Sequence, residues 1–244
     1  MSLPRIVLAS GSPRRRELLG NAGFDFEVDV PDVEERIAPG EDAVAATSRL
    51  AMEKAEAVLA RRAGRGIELI LAADTTVVLG DRILGKPSSR SEAVEMLLAL
   101  SGRNHLVLTG WAVLRSGSPS TMGECGICRS VVRMREVSRS EAEAYAAGGE
   151  PMDKAGAYAA QGEGRRFIGC IRGPLDNVIG LPMQPVLAAL SRAQRQRPLS
   201  RARRHRRADD LCDVGRWLGR GECDGTGGRS AGLHCGQPGY CRGC

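Results

Sequence analysis

The sequence predicts a fold of the α/β or α+β class. Three observations carry that prediction: short apolar runs of strand character recur along the chain, segments with helical spacing and capping residues stand between them, and turns bearing Gly or Pro mark the borders. Arg5–Ala9 (RIVLA) reads as a short buried strand. Ser10-Gly11-Ser12-Pro13 follows as a turn, with Ser12 as N-cap and Pro13 in the first turn of a helix over residues 14–21 that stops near Gly23. Residues 24–30 alternate like a strand, and residues 42–62 form a long Ala-rich helix. Residues 67–73 are an apolar strand, and residues 75–84 a hairpin turning at Gly80-Asp81. A helix capped by Ser89 spans residues 89–100, and strands cover residues 104–114 and 130–137. A capping box from Ser138 to Glu141 opens a helix over residues 138–147. A last helix lies within residues 175–193, after the turn Gly180-Leu181-Pro182.

Composition bounds the class. Apolar residues make up 42 %, ordinary for a globular core, but aromatics only 3 %, so the core must rest on Ala, Val, Leu and Ile. No apolar run approaches the roughly 18 residues that span a bilayer. Residues 1–9 lack the basic and apolar regions of a signal peptide, so a cytoplasmic protein without membrane association is expected. The net charge of +6 is unevenly spread. Residues 192–244 hold 12 arginines against five acidic residues, while residues 1–191 hold 23 basic and 24 acidic ones. The body is therefore near neutral, which argues against nucleic-acid binding except through the tail. We divide the chain into a domain over residues 1–193 and an Arg-, Gly- and Cys-rich tail over residues 194–244 that reads as disordered or loosely packed. The run Arg203-Arg204-His205-Arg206-Arg207 would suit RNA or an acidic partner, though such runs are more often solvated segments.

Three constellations carry chemistry. LASGSPRRRELL, residues 8–19, is a strand, a small-residue turn and a helix start. The unpaired N–H groups of a helix N-terminus suit phosphate, and Arg14, Arg15 and Arg16 add guanidinium groups able to grip its oxygens in pairs. An ordinary capped helix with a basic exposed face explains the same residues. Next comes an acidic set: Asp32, Glu34 and Glu35 in a loop-like stretch, and Asp74 directly after an apolar strand. A carboxylate at a strand end faces the crevice where α/β sheets bind ligands, suits Mg²⁺, and can take a proton from an attacking water. The alternative is a strand-end Asp that merely caps a turn. The third set is the lysines. Against 32 Arg the chain keeps only Lys54, Lys86 and Lys154, and point charges from three separate segments would meet a triphosphate. Three surface lysines are the plainer reading. His105, alone in a strand, is read as structural.

LASGSPRR, AADT, LGKP, SGRNHLVLTG, GEPMDKAGAYAAQG and NVIGLP, in this order and spacing, resemble the Maf family over residues 5–191. The resemblance implies an elongated, two-lobed α/β fold related to inosine triphosphatases, with a twisted mixed sheet flanked by helices, often dimeric. It implies hydrolysis of a nucleoside triphosphate to the monophosphate and pyrophosphate with Mg²⁺ or Mn²⁺. Position by position, Asp74 matches the family's proposed base. Ser10, Arg15, Lys54 and Lys86 match positions that meet phosphate, and Glu35, with Asp74, positions that meet metal. Arg14, Thr75 and Gln161 match positions that divide the family by substrate, in the combination of the dTTP and UTP branch. Gln161 has both amide groups needed to pair with a pyrimidine edge. Other non-standard nucleotides such as 7-methyl-GTP, or a non-catalytic role in septum formation, are the alternatives. The chain departs from the family at residues 116–130, where Cys125-x-x-Cys128 stands in place of a plain hairpin or loop. With Cys241-x-x-Cys244 it has the ligand count of a zinc site, although more than a hundred residues separate the two pairs.

Overall fold

The computed structural model describes residues 4–116 and 122–195. The expectations for residues 196–244, including the Arg203–Arg207 run and Cys241 and Cys244, lie outside the described residues. Strand β1 (Arg5–Ala9) leads to α1 (Pro13–Asn21), β2 (Phe26–Val28) and α2 (Ala43–Arg61). Then come β3 (Glu68–Leu79), β4 (Arg82–Leu84), α3 (Arg90–Leu100), β5 (Asn104–Arg115), β6 (Met122–Met134) and α4 (Arg139–Ala147). Three short 3₁₀ turns between Glu150 and Phe167 precede β7 (Ile168–Arg172), α5 (Leu175–Ile179) and α6 (Met183–Arg195). Among these residues seven strands form one mixed sheet in the order β2-β1-β3-β5-β6-β7, with β4 beside β3. β1 runs parallel to β2 and to β3, whereas β4 is antiparallel to β3 and β7 to β6. The expected fold class is thus observed: a mixed sheet flanked by helices.

The described residues divide into two compact units, one of residues 4–75, 109–116, 122–128 and 180–195, the other of residues 76–108 and 129–179. In the first unit both faces of the sheet are covered, and strand alternation assigns each side chain to a face. Ile6 and Leu8 of β1, Leu69, Leu71 and Ala73 of β3, and Trp111 and Val113 of β5 pack with Leu19 of α1 and Val186, Ala189 and Leu190 of α6. Val7, Ala9, Ile70, Ala72, Ala112 and Leu114 point the other way, onto Ala55 and Val58 of α2. Gly110 lies on that α2 side, where a Cβ would stand 2.6 Å from the Thr47 carbonyl oxygen, so α2 can approach the strand closely. The second unit packs Leu97 and Leu100 of α3 and Tyr145 of α4 with Val77, Met134, Tyr158 and Phe167. The core is mainly aliphatic in both units, as composition leads one to expect, and in the second Tyr145 and Phe167 meet edge to face at 5.1 Å.

Four local expectations change. The strand expected to end at Ala73 continues without a break to Leu79, so Asp74 lies inside β3 and not at its tip. β1 pairs with β3 only as far as Ala9 opposite Ala72, which leaves Asp74 just beyond the end of β1. The strand tolerates this buried acid because a lysine meets it, as described below. Residues 24–30 shorten to the three-residue β2. The Cys125-x-x-Cys128 segment is part of β6, where residues three apart point to opposite faces. Cys125 packs on the α2 side, Gly126 lies against the Trp111 ring on the other, and Cys128 is buried, so the two thiols do not form half of a zinc site. Ser12 takes the N-cap position of α1 but its hydroxyl makes no capping bond. The other two expected caps are present, Ser89 accepting from Glu92 and Ser138 and Glu141 completing their box, and Asp42 caps α2 by accepting from Val44 and Ala45.

Candidate active site

Alternation along β3 sends Asp74 toward α2 and Thr75 toward α1, and each meets a cation there. Lys54 projects from the buried side of α2, and its Nζ donates to Asp74 Oδ1 at 2.6 Å and to Glu35 Oε1 at 2.6 Å. The Lys54 and Asp74 side chains are only 7 % and 9 % exposed, whereas Glu35, from the loop before α2, is 39 % exposed. One ammonium thus joins an interior carboxylate to one that reaches solvent.

On the opposite face Arg15 of α1 is held by three acceptors. Its Nε donates to the Gly180 carbonyl at 2.7 Å, Nη1 to Ser10 Oγ at 3.2 Å, and Nη2 to Thr75 Oγ1 at 3.0 Å. Ser10 Oγ also accepts from the Ser12 backbone N–H at 3.2 Å, so the small-residue turn is closed by Ser10 where the sequence suggested Ser12. Gly180 has φ of +125°, and a Cβ there would sit 3.3 Å from Thr75 Oγ1, so only glycine brings this carbonyl under the guanidinium without strain. Burial pushes the Arg15 pKa below its ordinary value, while the charges of Asp74 and Glu35 pull it up and that of Arg14 lowers it further. The two faces are therefore electrostatically linked. A guanidinium has five N–H donors; three are used within the protein, leaving two for an anion.

The structure brings together Ser10, Arg15, Glu35, Lys54, Asp74 and Thr75 in the first unit, with Arg14 near enough to act on Arg15. Lys86, exposed after β4, and Gln161, at the start of the last 3₁₀ turn, belong to the second unit. Lys154 also belongs to the second unit. Its Nζ is tied within its own turn to the Glu150 carbonyl at 2.6 Å and Asp153 Oδ1 at 2.5 Å. Glu34 forms a surface ion pair with Arg36. His105 is buried against Tyr158, Nε2 to hydroxyl 2.7 Å, and burial lowers its pKa to about 4, as befits a neutral structural histidine. Sequence reasoning missed Gly180 and Thr109 as parts of the site. Both stand inside the quoted motifs NVIGLP and SGRNHLVLTG, but nothing in their residue types announces contact with Arg15 or Thr75.

For a divalent cation the donor set is a pair. Among the described residues no three His, Cys, Asp or Glu side chains gather as a metal cage. Asp74 and Glu35, brought to one ammonium, supply two hard oxygen donors, which suits a Mg²⁺-like ion that completes its shell with substrate phosphate and water.

A mixed sheet with helices on both faces and an ammonium–dicarboxylate cluster beneath one of them defines the first unit as an α/β protein built around buried charge. Residues 5–193 match the family described as Maf-like protein. The dTTP/UTP pyrophosphatase of Anaeromyxobacter dehalogenans (strain 2CP-C) is 46 % identical over 190 residues, covering 78 % of this chain and 94 % of that protein. That of Myxococcus xanthus (strain DK1622) is 46 % identical over 188 residues, covering 77 % and 92 %. The Bacillus anthracis protein of the same name is 42 % identical over 186 residues, covering 76 % and 94 %. A far slighter likeness, TM-score 0.35 at 15 % identity, covers 77 % of this chain and 95 % of a solved nucleoside-triphosphatase / dITP/XTP pyrophosphatase from Mycobacterium abscessus. The chain belongs to the Maf family.

Proposed function

We propose that this chain hydrolyses dTTP and UTP between the α and β phosphates, releasing the monophosphate and pyrophosphate. The observation that carries the proposal is the Lys54 ammonium shared by Asp74 and Glu35, with Arg15 held close enough to feel both charges. The relatives' names supply the substrate class. Arg15 offers its two remaining donors to phosphate oxygens, and the Ser10–Pro13 turn lies beside it at the start of α1. Glu35 and Asp74 would hold a divalent cation, Mg²⁺ or Mn²⁺, which supplies neutralisation of phosphate charge as pyrophosphate departs. Asp74 accepts the proton of the water that attacks the α phosphorus, and Lys54 fixes the carboxylate in place for that task. The assignments of Lys86 to phosphate and of Arg14, Thr75 and Gln161 to the choice of base rest on the family resemblance, as does a homodimer.

A nucleotide panel read by pyrophosphate release tests the activity: dTTP and UTP should outrun 7-methyl-GTP, and a preference for the latter defeats the substrate assignment. Asp74→Asn should lower kcat by about a hundredfold or more with the fold intact by circular dichroism. Turnover near the parent rate would remove Asp74 as the base.

A further inference from the structure

We propose that Thr109 is a positioning residue for phosphate recognition, acting through Thr75 on Arg15. The inference rests on the reading of Arg15 as a phosphate-binding group. Arg15 approaches its ligand from α1, yet every contact that orients it comes from elsewhere: Ser10 after β1, the Gly180 carbonyl after α5, and Thr75 on β3. Thr75 is the one of these whose orientation depends on a further side chain. Its Oγ1 accepts from Arg15 Nη2 at 3.0 Å and lies 3.0 Å from Thr109 Oγ1 on the adjacent strand β5. Thr109 is wholly buried, so it cannot itself meet a nucleotide.

Hydroxyl accounting explains why the pair matters. A threonine hydroxyl has one hydrogen and two acceptor sites, and its β-branched side chain has few rotamers. With one Thr75 lone pair given to Arg15, the bond to Thr109 holds the oxygen where Nη2 needs it. Loss of the Thr109 hydroxyl frees Thr75 to turn its methyl toward the guanidinium. Arg15 then keeps Ser10 and Gly180 as partners but loses the contact that sets the plane of its fork.

The test is a double-mutant cycle on the full chain with Thr109→Val, Arg15→Ala and both together. Thr109→Ser serves as the conservative control, and thermal unfolding monitors folding. We expect Thr109→Val to lower kcat/KM for dTTP by roughly tenfold, the scale of one lost charge-assisted hydrogen bond. Thr109→Ser should restore most of the rate, and Thr109→Val should have no further effect once Arg15 is alanine. An equal loss in both backgrounds, or no loss beside intact Arg15, overturns the proposal. The same four proteins titrated with inorganic triphosphate by calorimetry give a readout independent of turnover. Binding of triphosphate without hydrolysis of dTTP or UTP would defeat the substrate reading alone, and the binding cycle would still decide the role of Thr109. Absence of triphosphate binding by the parent chain overturns both.

Discussion

Lys54 serves two carboxylates that differ in their surroundings, and the difference has measurable consequences. Its pairing with Asp74 is interior on both sides, so removing the ammonium strands a buried charge. Lys54→Met should cost about 3–5 kcal/mol in urea unfolding, the usual penalty for breaking a buried pair from one side. Glu35 is more than a third exposed, and water screens its half of the arrangement. Glu35→Gln should therefore cost no more than about 1 kcal/mol while still depressing turnover if the carboxylate holds the cation. Equal stability losses for the two variants would contradict the division into an interior and a solvent-facing acid. The residue types of this cluster were legible from the sequence, because a scarce lysine and a strand-borne aspartate are both conspicuous. Their partners were not. Nothing in residues 8–19 tells that Ser10, rather than Ser12, closes the turn, since the choice depends on Arg15 reaching back to the same oxygen.

Two serines illustrate the same point for whole elements. Ser12 and Ser138 occupy equivalent N-cap positions and look alike in the sequence, but only Ser138 forms the capping bond, with the reciprocal bond from Glu141. Ser138→Ala should lower stability by about 1 kcal/mol, whereas Ser12→Ala should change it by no more than a few tenths. Thermal unfolding of the two variants checks this, and a larger loss at Ser12 would refute it. The capped helices α3 and α4 were readable to within a residue because a cap is a local signal, and α2 because its Ala-rich stretch is long. β6 was obscured at its start by a glycine- and cysteine-rich stretch that looks like a loop. Its place in the sheet depends on neighbours far away in the chain: Gly126 makes room for the Trp111 ring and Cys125 packs beside α2. The 3₁₀ turns between Glu150 and Phe167 carry no periodicity at all, and β7 follows them as a short strand paired to β6.

For the molecule as a whole, acid stability should carry the mark of one histidine. His105 titrates at about 4 in the fold because burial disfavours its charged form, against an ordinary value of 6.5. Above 6.5 both states are neutral and no penalty applies. As pH falls below 6.5 the unfolded chain takes up a proton that the native protein refuses until about 4, so stability declines across that window by about 3 kcal/mol. Glu41 and Glu141, held at about 2 chiefly by hydrogen bonds from Arg49 and Arg135, add their own loss only below the ordinary glutamate value of 4.5. Denaturant midpoints compared at pH 7 and pH 5 therefore isolate the histidine. His105→Gln should flatten that difference, and an undiminished slope would assign it to other groups.

The neighbouring positions Asp74 and Thr75 divide their labour between the two sides of β3. Chain length upstream is consequently under tighter control than composition. Deleting a single residue between Glu68 and Ala73 would trade their destinations, setting a hydroxyl before the ammonium of α2 and a carboxylate beneath the guanidinium of α1. Apolar residues of similar volume can replace one another in this buried segment, but their number cannot change by one without dismantling both halves of the site in the same step.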